Sequence, residues 1–505
     1  MATLSAIVAA RASETPDRVA YVGDHERVTW RQHHERADRI AGRLLDAGTR
    51  PGDRVAVLVP DGPAVHACYL GDERVGAVIV GIGPRAGRRE VEHLLTVTRA
   101  SVLLASPELP PDGAPPGVRR LAVAETEPAP PDAMSRADEA RALAADDLWL
   151  LNSTSGTTGL PKCVMHDQRR WFAFHEHAVA AAELSSDDVF LSALPAPFGF
   201  GVWTAHVTPT LLGVPCVVST RFDPEACLGL IARERVSVLA AVSTQFIMLL
   251  NSPDLEHHDL SSLRVLFTGG EMVPEQRAAE FEDRTGCAVL QFYGSNETGA
   301  LSRTTLSDSR ARRLRTAGRV IPEMHVRLFA DDGTDVTATG GPGIAACRGD
   351  LTCLGYYRDE DANAALYTTD GWMLTGDRCS IDTDGYLTVR GRASDFIIRG
   401  GKNISAAQVE DEVASHPDVV LAAAVAMPDP VFGERVCVYV ELRPGASLDL
   451  DAVREHLAGR GVGKELWPER LVVVGTLPRS SGGKVAKGEL REDVRRRVGA
   501  DGVAR

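Results

Sequence analysis

Short continuous apolar runs and amphipathic stretches alternate through the first hundred residues. RVAVLVP (Arg54–Pro60), VGAVIVGIG (Val75–Gly83) and SVLLAS (Ser101–Ser106) are apolar on both faces, the pattern of strands buried in a parallel sheet. RQHHERADRIAGRLLDAG (Arg31–Gly48) has the helical period and ends on glycine, which predicts an amphipathic helix. PELPPDGAPPG and ETEPAPPDA flank a short strand and predict a proline-rich surface connection. From Asp147 to about Asn296 the alternation resumes, with VSVLAAV (Val236–Val242) and LRVLFTGGE (Leu263–Glu271) as strands. Alternation of this kind predicts parallel sheets covered by helices. Between Arg319 and Arg392 short strands separated by turns at DDG and TDG predict a smaller β-rich unit. After Asp395 the order helix, strands, helix is enough for a separate α+β domain of roughly a hundred residues. The expected fold is α/β: a large domain, 1–394, of mixed or parallel sheets sandwiched by helices with a β-rich subdomain, followed by a small domain, 395–505. No internal repeat is visible.

At 505 residues the chain exceeds one compact core, which agrees with two domains. A net charge of -14 disfavours a nucleic-acid partner, although a local basic funnel is compatible with it. The cysteines are odd in number, scattered and without a CxxC pair, which argues against disulfides and zinc and for a reducing compartment. The apolar stretch in MATLSAIVAARASETPDR is too short for a secretory signal, and no uncharged run is long enough to span a bilayer. A cytoplasmic protein without a membrane partner is expected.

LLNSTSGTTGLPKCVMH (Leu150–His166) places hydroxyls and glycines without interruption from Ser153 to Gly159, then Lys162. Gly156 and Gly159 let backbone N–H groups converge, Thr154, Ser155, Thr157 and Thr158 can donate to phosphate oxygens, and Lys162 adds charge. It is not a Walker A loop, and the same composition also makes ordinary polar loops. FYGSNETG (Phe292–Gly299) puts an aromatic ring, Tyr293, four residues before Glu297, a carboxylate suited to Mg²⁺. TGD (Thr375–Asp377) and GRASDFIIRGGKNIS (Gly391–Ser405) offer Asp377 and Arg392 for a sugar, and in LPRSSGGKVAK (Leu477–Lys487) glycines precede Lys484. Each segment alone equally suits a turn or a solvated loop.

Together and in this order, TSGTTGLPK, YGSNETG, DGWMLTGD, GRASDFIIRGGKNIS and PRSSGGK resemble the signatures of the adenylate-forming superfamily, which includes acyl- and aryl-CoA ligases, and the resemblance covers almost the whole chain. It implies that Thr154, Ser155, Gly156, Thr157, Thr158, Gly159 and Lys162 surround the ATP phosphates, with Thr158 among the catalytic residues. Glu297 holds Mg²⁺. Tyr293, Gly294, Asn296 and the backbone at Gly269, Gly270 and Glu271 line the nucleotide, and Asp377 and Arg392 bind ribose. Ser394 and Asp395 form a hinge for a mobile small domain. Lys484 reaches the α-phosphate and the substrate carboxylate, and Gly400 and Gly401 let the thiol arm of coenzyme A pass. Three positions depart from the usual pattern: Asn296 stands for Thr or Ser, Ser394 for Asp or Lys, and Gly482 for Ser or Thr.

LPAPFGFGVW (Leu194–Trp203) aligns with the segment that shapes the acid pocket. Amino-acid-activating relatives keep an Asp here, whereas this chain has Phe198, Gly199, Phe200 and Trp203, with Ser295 beyond. A buried ammonium without a partner is costly, so an acid without an α-amino group is expected, aromatic or small aliphatic. His206 reads as a satisfied core histidine rather than a pocket donor. The expected reaction is ATP- and Mg²⁺-dependent formation of an acyl-AMP with release of pyrophosphate, then transfer to coenzyme A, by a monomer or homodimer. The alternatives are transfer to a carrier-protein thiol or to a nitrogen nucleophile, with nitrite as a conceivable activated anion, or a non-catalytic nucleotide-binding protein.

Overall fold

The computed structural model describes residues 2–107, 114–123, 142–154, 161–271, 273–392, 395–400, 402–479 and 484–503. The three early apolar runs become the strands Arg54–Leu58, Val78–Gly81 and Val102–Ala105 of a six-stranded sheet. Arg119–Ala122 and Leu150–Ser153 extend it in parallel, and Cys163–His166 closes it antiparallel to Leu150–Ser153. The predicted helix runs Trp30–Asp46. It begins one residue early because Thr29 and Gln32 cap each other reciprocally.

A nine-stranded sheet lies beside the first. Its strands Phe190–Ser192, Val238–Ala240, Val265–Gly269 and Ala288–Ser295 run parallel and adjacent. Segments leaving the C-terminal ends of such strands are where α/β sheets bind ligands. The β-rich unit is a four-stranded antiparallel sheet, Met324–Phe329, Gly343–Gly349, Met373–Ile381 and Leu387–Arg392.

Beyond Asp395 a five-stranded sheet is built from Phe396–Arg399, Lys402–Ser405, Val419–Asp429, Gly433–Leu442 and Arg470–Val474. One apolar cluster joins its Val425, Tyr439, Leu477 and Leu490 to Phe246 and Ala278 of the larger part. The helix Lys487–Val503 is fastened to this sheet unit. Lys487 pairs with Glu410 at 2.7 Å, Arg491 with Asp395 at 2.5 Å, and Tyr439 donates to Asp493 at 2.8 Å.

A π-helical turn, Val202–Val207, carries Trp203 on one side and His206 on the other. His206 is indeed core, but the expectation of a satisfied histidine fails. Neither ring nitrogen has a hydrogen-bond partner among the described residues, and the same holds for His33 and His66. The rings pack on one another instead: His66 stacks 5.3 Å from His206 and 4.7 Å from Tyr21, and His33 meets Tyr21 edge-on at 4.9 Å. Burial holds all three imidazoles neutral, with His206 pulled down to about 3. The unfolded chain therefore takes up protons below pH ~6.5 that the native core refuses, and each such group removes about 1.4 kcal/mol of stability per pH unit. Asp61 and Glu73, raised by burial to about 7, act in the opposite direction. A substitution isolates one term: the stability of His206→Asn relative to the native chain should rise by ~1.4 kcal/mol per unit as pH falls from 6 to 5, read by urea unfolding. A difference independent of pH would contradict a neutral, buried His206.

Candidate active site

The C-terminal ends of the four adjacent parallel strands open into one cavity of about 520 Å³. It is lined by segment 194–203, Val242, Gly269 and Gly270, and residues 292–297. Thr154 and Lys162 enter from the six-stranded sheet, Arg392 from the β-rich unit and Lys484 from the small unit. Segments distant in sequence thus share one space. Ser155, Gly156, Thr157, Thr158 and Gly159, together with Ser394, Gly401 and Gly482, lie outside the described residues. Thr154 is described: its hydroxyl accepts from the Lys162 amide at 3.2 Å.

Lys484 Nζ donates to the Gly270 carbonyl at 2.5 Å. Gly270 has φ +79°, a conformation that a side chain resists. Burial lowers the Lys484 pKa, opposed chiefly by the charge of Glu271, with Arg392 adding to the lowering. Glu271 does not line the cavity. Its carboxylate accepts the Thr244 amide at 3.3 Å, at the start of the helix Ser243–Leu250, where a negative charge meets the helix dipole. Of the Gly269–Glu271 segment, Gly269 and Gly270 line the cavity.

Tyr293 lines the cavity and its hydroxyl donates to Asp377 at 2.8 Å; Arg392 stands 3.6 Å from the same carboxylate. Burial raises Asp377, while Tyr293 and then Arg392 counter it. Glu297 Oε1 accepts from the Tyr356 hydroxyl at 2.8 Å, and Lys162 Nζ sits 4.8 Å over the Tyr356 ring. Among the described residues Lys162, Arg170, Arg392 and Lys484 face the cavity against one lining carboxylate, Glu297, a positive focus within a chain of net charge -14.

Phe198, Gly199, Phe200, Trp203 and Ser295 all line the cavity. The aromatic wall is thicker than segment 194–203 alone, because Phe174 and Phe292 pack at a tilt against Trp203, 4.5 and 4.7 Å from it. Gly199 is tight: a Cβ there would overlap the Asn296 amide. Gly400 lies away from the cavity, its amide bound to the Phe432 carbonyl at 2.8 Å, and Asp395 is paired with Arg491.

Sequence reasoning missed Arg170, Trp171, Phe174, Phe292 and Tyr356 as lining residues. One signal existed. On the helix Arg169–Ala182 the buried face runs Arg170, Trp171, Phe174, His177, Ala178 and Ala181, so Arg170 is a charge at an apolar-face position.

Comparison with known proteins agrees with this geometry. A model of the AMP-binding enzyme family matches residues 8–357, and a model of the AMP-binding enzyme C-terminal domain matches 408–484. The chain is 34% identical to pyochelin synthase PchD of Pseudomonas aeruginosa over 98% of its own length and 92% of that protein. It is 32% identical to the medium-chain fatty-acid–CoA ligase of Escherichia coli over 96% and 89%. The structure of ATP-bound MatB from Rhodopseudomonas palustris superposes with a TM-score of 0.84 at 26% identity, covering 97% of this chain and 98% of that one.

Proposed function

Because the chain belongs to the AMP-binding enzyme family, we propose that it activates a carboxylic acid with ATP and passes the acyl group to coenzyme A. The observation that carries this reading is the convergence of Lys484, Arg392, Lys162 and Glu297 around one cavity with an aromatic wall. A carboxylate oxygen attacks the α-phosphorus of ATP, the bond to the bridging oxygen breaks, and pyrophosphate leaves with that electron pair. The sulfur of coenzyme A, its thiol proton released to water, then attacks the acyl carbon of the mixed anhydride, the C–O bond breaks, and AMP leaves with that electron pair.

The two reactants of the first step are both anions. Lys484 offsets their repulsion and holds the carboxylate in line, while Lys162 and the hydroxyl loop beginning at Thr154 take the β- and γ-phosphates. Asp377, fixed by Tyr293, accepts ribose hydroxyls. The residues suit one Mg²⁺: Glu297 gives Oε1 to the Tyr356 hydroxyl and keeps Oε2 for an ion that takes most of its oxygens from phosphate and water. Such an ion supplies charge neutralisation at the phosphates. A hinge at Ser394 and Asp395 between 1–394 and 395–505 would withdraw Lys484 after the first step and bring in Gly400 and Gly401. The acid-lining segment 194–203 contains no carboxylate, which supports an acid without an α-amino group.

Pyrophosphate exchange across aromatic and short aliphatic acids tests the first step, and thioester formation with free coenzyme A the second. Exchange is expected with several acids. Silence across the panel with ATP still bound would overturn activation, and exchange without thioester would reassign the acceptor to a carrier-protein thiol or an amine.

A further inference from the structure

Arg170 is 3% exposed, lines the cavity and enters no ion pair among the described residues. Burial lowers it to about 10, so it remains a cation at neutral pH. The charges of Asp167 and Glu297 act on it without forming an ion pair, and a buried guanidinium that no carboxylate contacts directly is costly unless something compensates it.

Its hydrogen bonds run in one direction. Nη1 donates to the Asn296 carbonyl at 2.8 Å and lies 2.6 Å from His166 Nδ1. Arginine can only donate, so Nδ1 accepts and His166 carries its proton on Nε2. Nε2 then donates to Asn152 Oδ1 at 2.7 Å, and Asn152 Nδ2 donates to Asn296 Oδ1 at 3.2 Å. This chain fixes the Asn296 amide with its oxygen engaged and its NH₂ unbonded by any described residue. Arg170 Nη2 is likewise unbonded, beside Gly299, where a Cβ would stand 3.0 Å away. Arg170, Asn296 and Gly299 all line the cavity. The flanking walls are Trp171 and Gly199 of the acid-pocket side, for a Cβ on Gly199 would meet both Trp171 and Asn296.

We propose that Arg170 Nη2 and Asn296 Nδ2 form an oxyanion site for a second acidic group on the substrate, so that the preferred acid is dianionic. This rests on the acid-activation reading above and narrows it to a substrate class. The reacting carboxylate goes to Lys484, and the second carboxylate or phenolate goes to Arg170. Placing Asn at 296 serves this arrangement, since a threonine hydroxyl offers one donor and cannot both answer Asn152 and present an NH₂.

The test compares matched pairs, isophthalate against benzoate and succinate against butanoate, by initial rates of pyrophosphate release. The native enzyme is expected to favour the dianion in at least one pair by about tenfold or more in kcat/KM, the scale of one charge-assisted contact. Arg170→Met should erase that preference while the ATP KM stays within about twofold, and Arg170→Lys should retain part of it. Preference of the native enzyme for the monoanion in both pairs would overturn the proposal, and this arm does not depend on any variant folding. An unchanged preference in Arg170→Met, with both acids slowed alike, would also overturn it as a merely structural effect. A raised ATP KM with the preference intact would assign the site to phosphate instead. Turnover of benzoate or butanoate without dianion preference leaves acid activation standing and removes this inference alone, whereas silence with all four acids and across the wider panel removes both.

Discussion

Lys484→Ala is expected to cut acyl-AMP formation by about 10²–10³-fold or more, close to 3 kcal/mol or above, while thiolysis of supplied acyl-AMP changes little. The reason is electrostatic. Lys484 is a cation at the Gly270 edge of the cavity, where the repelling anions must meet, and burial makes its charge act in a poorly screened space. Methyl at this position leaves no cation in its place. The second step lacks that repulsion, and on the proposed cycle the lysine has left the cavity by then. The lowered lysine pKa adds a pH signature. Adenylation needs the protonated amine, so its rate should fall as pH rises through a value below the usual lysine range. Pyrophosphate exchange against pH, with thiolysis run in parallel, reads both. Equal losses in the two steps would contradict the alternation of the small domain.

Gly294→Ala is expected to lower stability by about 3 kcal/mol and kcat/KM by at least ~10²-fold. Ala288–Ser295 pairs antiparallel with Gly299–Arg303, and the register shifts between Tyr293 and Gly294. At this irregularity a Cβ on Gly294 would overlap the Gly299 carbonyl. Both clashing groups are backbone, so no rotamer relieves it and the two strands must separate. The displaced strand carries Tyr293, which fixes Asp377, and leads into Asn296 and Glu297. Thermal unfolding and steady-state kinetics on one sample check the pair of effects. A variant with native stability and activity would show that the strands part at no cost.

What the sequence disclosed was what is written consecutively. The apolar runs at 54–60 and 75–83 gave buried parallel strands because both faces of such a strand are covered, and the two-part organisation followed from the change of period after Asp395. Lys484, Arg392, Lys162 and Glu297 were legible because each sits in a stretch whose neighbours share its chemistry. Tyr356 was not, since its partner Glu297 is brought by another sheet and only folding supplies the 2.8 Å contact. Phe174 and Phe292 carry no local mark of the pocket, and only the fold packs them against Trp203 in its wall. Arg170 left a trace, a charge at the apolar stripe of its helix, but the relay through His166 and Asn152 joins strands and a helix that no local pattern links. Glu271 lay in the right segment, yet the helix start at Ser243 claims its side chain.

The ties of Lys487 to Glu410 and of Arg491 to Asp395 have a kinetic corollary. They join the stretch just after Lys484 to the same unit that bears the Gly400 hairpin, so on the proposed hinge motion the lysine and the hairpin would move together as one lever. Such a lever would not serve the cavity with both at once. The order of events would then be mechanical: the thiol's entrance opens only by the stroke that takes the activating cation away, and a product cannot be drawn back into the nucleotide without reversing that stroke.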